Sequence, residues 1–522
     1  MWPFLSRRTR SPRPAHRARL SFRPRVRGLE DRMLLNAGGL DPTFGAGAGY
    51  VTTPLSGTSS DWGKKVLVQP SGNIVVAGPT SVSVTTQTKK GTTTTTYNAF
   101  GVVTYNPDGS LDTAFGSGGI VRQLFAGPAA VAFGSAALEP MGTTGDSDIL
   151  LAGDVPHGTV GMALLRLKPD GSLDTSFGNN GQVITYFQES TSIYEIPAAV
   201  AVTGSGQILE VGQITGQNTV LLARYNPNGS LDTSFGNGGT ATTVFSNQIG
   251  ISSLALQPDG KFVVAGTLSS STGTSSGLLL RYNSNGTLDT TFANGGIVTT
   301  AIPLGTSPST SYLSVAVYPN AGTVNDGKIV ATGIVPATAS GGQHETEYAA
   351  ARYNANGSLD TSFAGGAGYE TIPDPKFTYP QDDARALAIQ PDGKLLIAGD
   401  AYGPPNPCYS QVVRLNGDGS LDSTFGNGGF EYTAIGTTTT GGTYSRFWAM
   451  AIQPDGKILA AGMAEFGSQN KFTLARYLAS EPEIGSLTAN ANPVTSGSSL
   501  TLTASNISDG NAGSTITQVA FY

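Results

Sequence analysis

The stretch GGTATTVFSN (238–247), SSLALQ (252–257), PDG (258–260), KFVVAGTL (261–268), GLLLRYN (277–283), SNG (284–286) and TLDTTF (287–292) is one complete unit of a repeat. Thr242–Phe245 is a short run of β-formers after a glycine pair. SSLALQ and KFVVAG flank Pro258-Asp259-Gly260, which is hairpin chemistry: Pro presets φ, Asp bonds its own backbone and Gly supplies positive φ. Phe262–Ala265 is apolar without alternation, as in a strand buried on both faces. GLLLRYN is a further strand, stopped by Ser284-Asn285-Gly286. Each unit therefore supplies about four antiparallel strands in chain order.

Outward from this stretch, the segment L-D-x-[TSA]-F recurs with its Phe at Phe44, Phe115, Phe177, Phe235, Phe292, Phe363 and Phe425. The spacings are 71, 62, 58, 57, 71 and 62 residues. The hairpin recurs as QPSGNIVVAG (69–78), QPDGKFVVAG (257–266), QPDGKLLIAG (390–399) and QPDGKILAAG (453–462). In repeats two, three and five the apolar strand stays and the turn changes. The last strand ends in Arg at Arg166, Arg224, Arg281, Arg352, Arg414 and Arg476, with Thr104 in repeat one.

LDxTFGxGG, QPDGKxxxAG and ARYNxxGSLD, over about residues 40–477, resemble the delta-60 repeat family, a bacterial repeat expected to form β-propellers. The resemblance implies no enzymatic activity, and implies a large exported or surface protein.

A four-stranded sheet with two apolar faces must stack on neighbours, and a ring leaves no end face exposed. The chain enters at an LD segment with no strand before it and leaves at Leu474–Tyr477 with no LD segment after it. Seven repeats then make seven blades only if Leu40–Thr53 meets Phe472–Tyr477. The fold expected is all-β: a seven-bladed β-propeller of four-stranded antiparallel blades over 39–477. An Arg-rich leader without fixed fold (1–38), a linker (478–485) and an incomplete immunoglobulin-like β segment (486–522) complete the division. The leader's Leu29–Leu35 resembles the LEDRxLL-type segment of bacterial export leaders, and the tail's N-P-V-T-x-G opening resembles a bacterial immunoglobulin-like domain.

Composition agrees. The 70 Gly and 30 Pro are roughly a fifth of the 522 residues, as in short strands joined by many turns. Ten Arg against Glu30 and Asp31 give residues 1–32 a charge of +8. The rest, with 20 basic and 34 acidic side chains, carries −14, which argues against a nucleic-acid surface on the body. No run of 18 apolar residues marks a membrane-spanning helix. The lone Cys408, in GPPNPCYS, reads as an incidental loop thiol, and one cysteine allows no internal disulfide.

No catalytic, cofactor-binding or metal-binding residue is assigned, and no cofactor. His16, His157 and His344 lack metal-ligand spacing, and no GxSxG, HExxH or P-loop occurs. The recurring Arg and Asp read as structural pairs pinning a turn. In an antiparallel meander one rim collects the short PDG and NPDG turns. The other collects diverse connections: 54–64 with Trp62, 79–98, 154–160, 303–311, 334–347, 372–383 and 400–410. Recognition belongs to loops on a rigid scaffold. The function expected is a non-catalytic, secreted or cell-surface module for display, adhesion or protein or glycan interaction at that variable rim. The alternative is a propeller lectin or enzyme with its site at the central funnel.

Overall fold

The computed structural model describes residues 37–480, apart from 57–60, 89–90, 126–131, 140–144, 158, 188–193, 216, 272, 305–308, 337–344, 378–379, 404–406 and 440, together with the strands Glu483–Ala489 and Leu502–Ser508. The quoted unit forms a sheet of Gln248–Leu256, Phe262–Ser269, Ser275–Tyr282 and Ile297–Thr300, each antiparallel to the next. The PDG turn closes as its residues dictate: Gly260 has φ +83° and donates to the Gln257 carbonyl, and Asp259 accepts from the Lys261 amide. Phe262–Ala265 is buried. The fourth strand, IVTT, belongs to the next repeat. A blade is thus three strands of one repeat and the first strand of its successor.

Seven such blades form the ring. Their first strands are Lys65–Val68, Ala132–Glu139, Tyr194–Val202, Gln248–Leu256, Ser311–Val317, Asp383–Ile389 and Ser445–Ile452. Apolar residues fill each junction. Val263, Ala265 and Leu279 of blade 4 meet Tyr312, Val315 and Ile329 of blade 5. Leu459, Ala461 and Leu474 of blade 7 meet Val66, Ile74 and Val76 of blade 1. The offset repeat leaves blade 7 one strand short, and the N-terminal segment supplies it: Tyr50–Thr53 pairs antiparallel with Gln469–Tyr477, Tyr50 opposite Ala475 and Thr53 opposite Phe472. The ring is closed by its two ends, as the repeat offset requires.

The structure moves the boundaries slightly. Ala37 and Gly38, assigned above to the leader, belong to the propeller: Ala37 is buried, its carbonyl accepts from the Gly426 amide, and Gly38 donates to Leu478. Ala37 stands where each other repeat has its NPDG-type turn. Leu478 is buried and donates to Gly39, so the ring extends past Tyr477. Residues 1–36 lie outside the described residues. Glu483–Ala489 starts inside the expected linker and pairs with Leu502–Ser508, and the remainder of the immunoglobulin-like expectation lies outside the described residues.

Two connections are corrected. Residues 79–98 are no loop but the extension of a hairpin, Ile74–Thr88 with Gly91–Tyr105, paired from Ile74↔Tyr105 to Thr88↔Gly91. Its Val and Thr residues are β-formers that need no core on both faces. Cys408 is no loop thiol either. It opens the strand Cys408–Leu415, is fully buried, and burial pushes its pKa up to about 12, which keeps it an inert thiol.

Candidate functional site

The repeated Arg and Asp lie together on the uniform rim. Arg281 Nε is 2.8 Å from Asp289 Oδ2, its guanidinium lies 4.4 Å from the Phe292 ring centre, and Nη1 donates to the Ala355 carbonyl of the next blade. Asp289 Oδ1 meanwhile accepts from the amide and hydroxyl of Thr291. Arg166, Arg224, Arg352 and Arg414 repeat this pairing with Asp174, Asp232, Asp360 and Asp422. Arg476 makes it across the closure, with Asp41 at 2.7 Å and the Pro107 carbonyl of blade 1. A group placed alike in six blades ties each blade to the next. It is structural, as the sequence implied.

The central channel is different. It holds about 330 Å³, within the range of small-molecule sites, and all seven first strands line it. Those strands enter it at a β-bulge. The register skips Gly134, Ala198, Ser252, Leu313, Arg385 and Trp448 in blades 2 to 7. Lys64 stands at the same place in blade 1, just ahead of Lys65–Val68. The bulge explains the glycine that ends each VVAG-like strand. A Cβ on Gly399 or Gly462 would sit 1.8 Å from the carbonyl oxygen of Asp383 or Arg446, which the bulge presses against it. Bulges re-aim side chains and leave backbone groups unpaired, so the channel mouth is ringed by presented side chains.

The ring of bulges is not symmetric. Blades 2 to 5 present Gly134, Ala198, Ser252 and Leu313, whereas blades 6, 7 and 1 present Arg385, Trp448 and Lys64. Trp62 stacks on Trp448 with centroids 5.6 Å apart, Arg385 lies 5.4 Å from the Trp448 ring centre, and Lys64 Nζ lies 5.8 Å from that of Trp62. Behind them Asp383 accepts from Arg385, and Asp400 is 3.2 Å from Arg385 and 3.5 Å from Arg446. Burial raises Asp400 to about 6 against the pull of Arg446 and Arg385. Burial lowers Lys64, helped by the charge of Arg385, and burial lowers Lys65. Lys64 and Lys65 have no ion pair among the described residues. None of the described residues lining the channel is Asp, Glu, His, Cys or Tyr.

Trp62 and residues 372–383 and 400–410 all belong to the variable rim read from sequence, so that rim and the charged mouth lie at the same end of the ring. What the sequence reading missed is the convergence itself. Its signal is position: Lys64, Arg385 and Trp448 each stand five residues before the Gln that opens a PSG or PDG turn, where repeat four has Ser252. His16 and His344 lie outside the described residues, and His157 ends a strand.

Seven segments of the chain, 91–115, 146–177, 204–235, 257–292, 325–363, 390–425 and 453–480, match one family model, described as Domain of unknown function (DUF5122) beta-propeller. The family match is to a propeller repeat. Six of the segments end on the Phe of an LDxxF motif. No curated protein matches the chain. Similar solved structures include an alpha-L-arabinanase of Penicillium chrysogenum complexed with arabinobiose, at 14% identity and TM-score 0.38, covering 71% of this chain and 98% of that one. A protein from Dyadobacter fermentans is 12% identical at TM-score 0.36, with 82% and 99% covered. A Hadza microbial sialidase is 11% identical at TM-score 0.35, with 74% and 76% covered. Likenesses this distant carry nothing about activity.

Proposed function

We propose that the chain is a non-catalytic binding module of a secreted or surface-displayed protein, recognising a glycan at the variable rim where it meets the channel mouth. The observation that carries this reading is the broken symmetry of the bulge ring. Four blades present small or apolar residues there, while three consecutive blades present Lys64, Arg385 and Trp448. The two carboxylates at the mouth, Asp383 and Asp400, stand behind the lining and are paired with Arg385 and Arg446, unlike the two carboxyl groups that flank a scissile bond in glycoside hydrolysis. This favours the lectin form of the central-funnel reading over the enzyme form.

The test is an array of polysaccharides probed with the full chain, followed by incubation of each bound glycan with the protein and assay for released reducing ends. Saturable binding without release is expected. Release that depends on the mouth residues would overturn the reading.

A further inference from the structure

We infer that the channel mouth takes a hexuronate, a sugar ring bearing one carboxylate, with the carboxylate held by Lys64 and Lys65. This rests on the glycan-binding reading above and names its ligand class.

Charge comes first. The mouth is lined by Lys64, Lys65 and Arg385, and behind Arg385 stand Arg446 and two carboxylates, Asp383 and Asp400. Both carboxylates are committed to the arginines, and Asp400 is almost wholly buried. Two lysine charges remain uncompensated, in a body whose net charge outside residues 1–32 is −14. Holding cations out of water without a partner is costly. Lys64 also faces Arg385, whose charge weakens its hold on its proton. An anion entering the channel relieves that cost. The Arg385–Trp448–Trp62–Lys64 ladder holds Lys64 and Arg385 in place before the ligand arrives, so little ordering remains to be done on binding.

The rest of the wall separates a sugar acid from a simple anion. Around the channel it carries Ser135, Ser252, Ser253 and Ser314, interleaved with Ala199, Leu254, Ala386, Ala449 and Met450. Ser252 is spent on the Tyr312 carbonyl and Ser253 on the Val315 amide, both ties between blades 4 and 5. The hydroxyls of Ser135 and Ser314 have no hydrogen-bond partner among the described residues. They suit hydroxyls, and the alanine, leucine and methionine surfaces suit the C–H face of a pyranose. Inorganic phosphate has no C–H face to lay on that apolar part of the wall.

The full-length chain is titrated with glucuronate, polygalacturonate, glucose and inorganic phosphate, following tryptophan emission and ligand-observed NMR. Glucuronate and polygalacturonate are expected to saturate and to shift the emission of the Trp62–Trp448 pair, with glucose about tenfold weaker or worse, the loss of one charge-assisted contact. Lys64→Gln and Lys65→Gln are each expected to cost about tenfold, while Lys65→Arg keeps the charge and most of the affinity. Melting temperatures no lower than that of the unaltered chain show that the variants fold. Comparable binding of glucose, displacement of glucuronate by equimolar phosphate, no saturable binding, or affinity unaffected in the double variant overturns the hexuronate assignment. Glycan binding that survives the double variant leaves the module reading standing. Cleavage of polygalacturonate would instead sink the non-catalytic reading.

Discussion

The two rims of this ring are built from the same seven repeats and differ in what recurs on them. On the uniform rim the same residues recur: an Arg, an Asp eight positions on, a Phe beneath the guanidinium and a carbonyl of the next blade. On the variable rim the bulge recurs but the side chain it presents does not. The connections differ in length, and the bulge position changes from Gly134 to Trp448. A residue present in every blade answers a need of every blade, which is to hold its neighbour. A residue present in one blade answers a need of the whole molecule.

The largest effect that sharpens this contrast is at closure. Deleting residues 472–477 removes the partner of Tyr50–Thr53 and opens two edges. The whole propeller, not blade 7 alone, is expected to lose its cooperative transition in calorimetry. Retention of a native-like transition would deny that the ends lock the ring.

Next, Arg281→Ala strips a buried pair and leaves Asp289 without its arginine. The expected loss is about 3–5 kcal/mol in urea unfolding, with glycan affinity unchanged in the folded fraction. A loss of affinity without loss of stability would assign this rim a binding role instead.

The rims also titrate in opposite senses. On the uniform rim, burial works against ionisation of Asp289, Asp360 and Asp422. Hydrogen bonds from Lys261, Lys328, Lys394 and the neighbouring hydroxyls, with the paired arginines, outweigh it and hold these carboxyls far below the usual range. A depressed folded pKa gives stability that is present above the unfolded value, about 3.9, and lost as pH falls below it. Near the variable rim, Asp382 is raised to about 9 by burial, with the charge of Asp374 adding. A raised folded pKa gives the reverse: its contribution is intact below about 4 and is lost as pH rises toward 9. Asp382→Asn should therefore raise the melting temperature at pH 8, and the gain should vanish near pH 4. A gain independent of pH would show that Asp382 is not the group that titrates.

The smallest effect lies in blade 1, where Thr104 replaces the arginine and its buried hydroxyl has no partner. Asp112 there accepts from Asn73 instead, with Phe115 in place below. Thr104→Arg supplies the missing tie and is expected to add about 1–2 kcal/mol, read by chemical unfolding. Destabilisation would show that the first junction has been built for its absence.

The fold was legible because the repeat recurs: the phenylalanine seen at Phe292 stands in all seven copies, and the turn seen at Pro258-Asp259-Gly260 in four, one of them with Ser71 in place of the Asp. The offset between repeat and blade was legible too, from Phe44 at one end and Arg476 at the other. Ala37 was missed because nothing in its own sequence marks it; it serves as a turn only because Gly426 reaches it from the far end of the chain. The hairpin at 74–105 was hidden by its threonines, which look like a solvent loop when no apolar face shows the strand period. The mouth was invisible for a different reason. Lys64, Arg385 and Trp448 occupy one position of the repeat, but Lys64 comes from the first blade, which only closure sets beside the blades of Arg385 and Trp448.

Hydrogen–deuterium exchange of the full chain with and without polygalacturonate tests that division most directly. Protection is predicted in the first strands of blades 6, 7 and 1, over 62–68, 383–389 and 445–452, with none in the uniform-rim turns at 104–116 and 281–296. Protection in those turns, or spread equally over all seven blades, would contradict it.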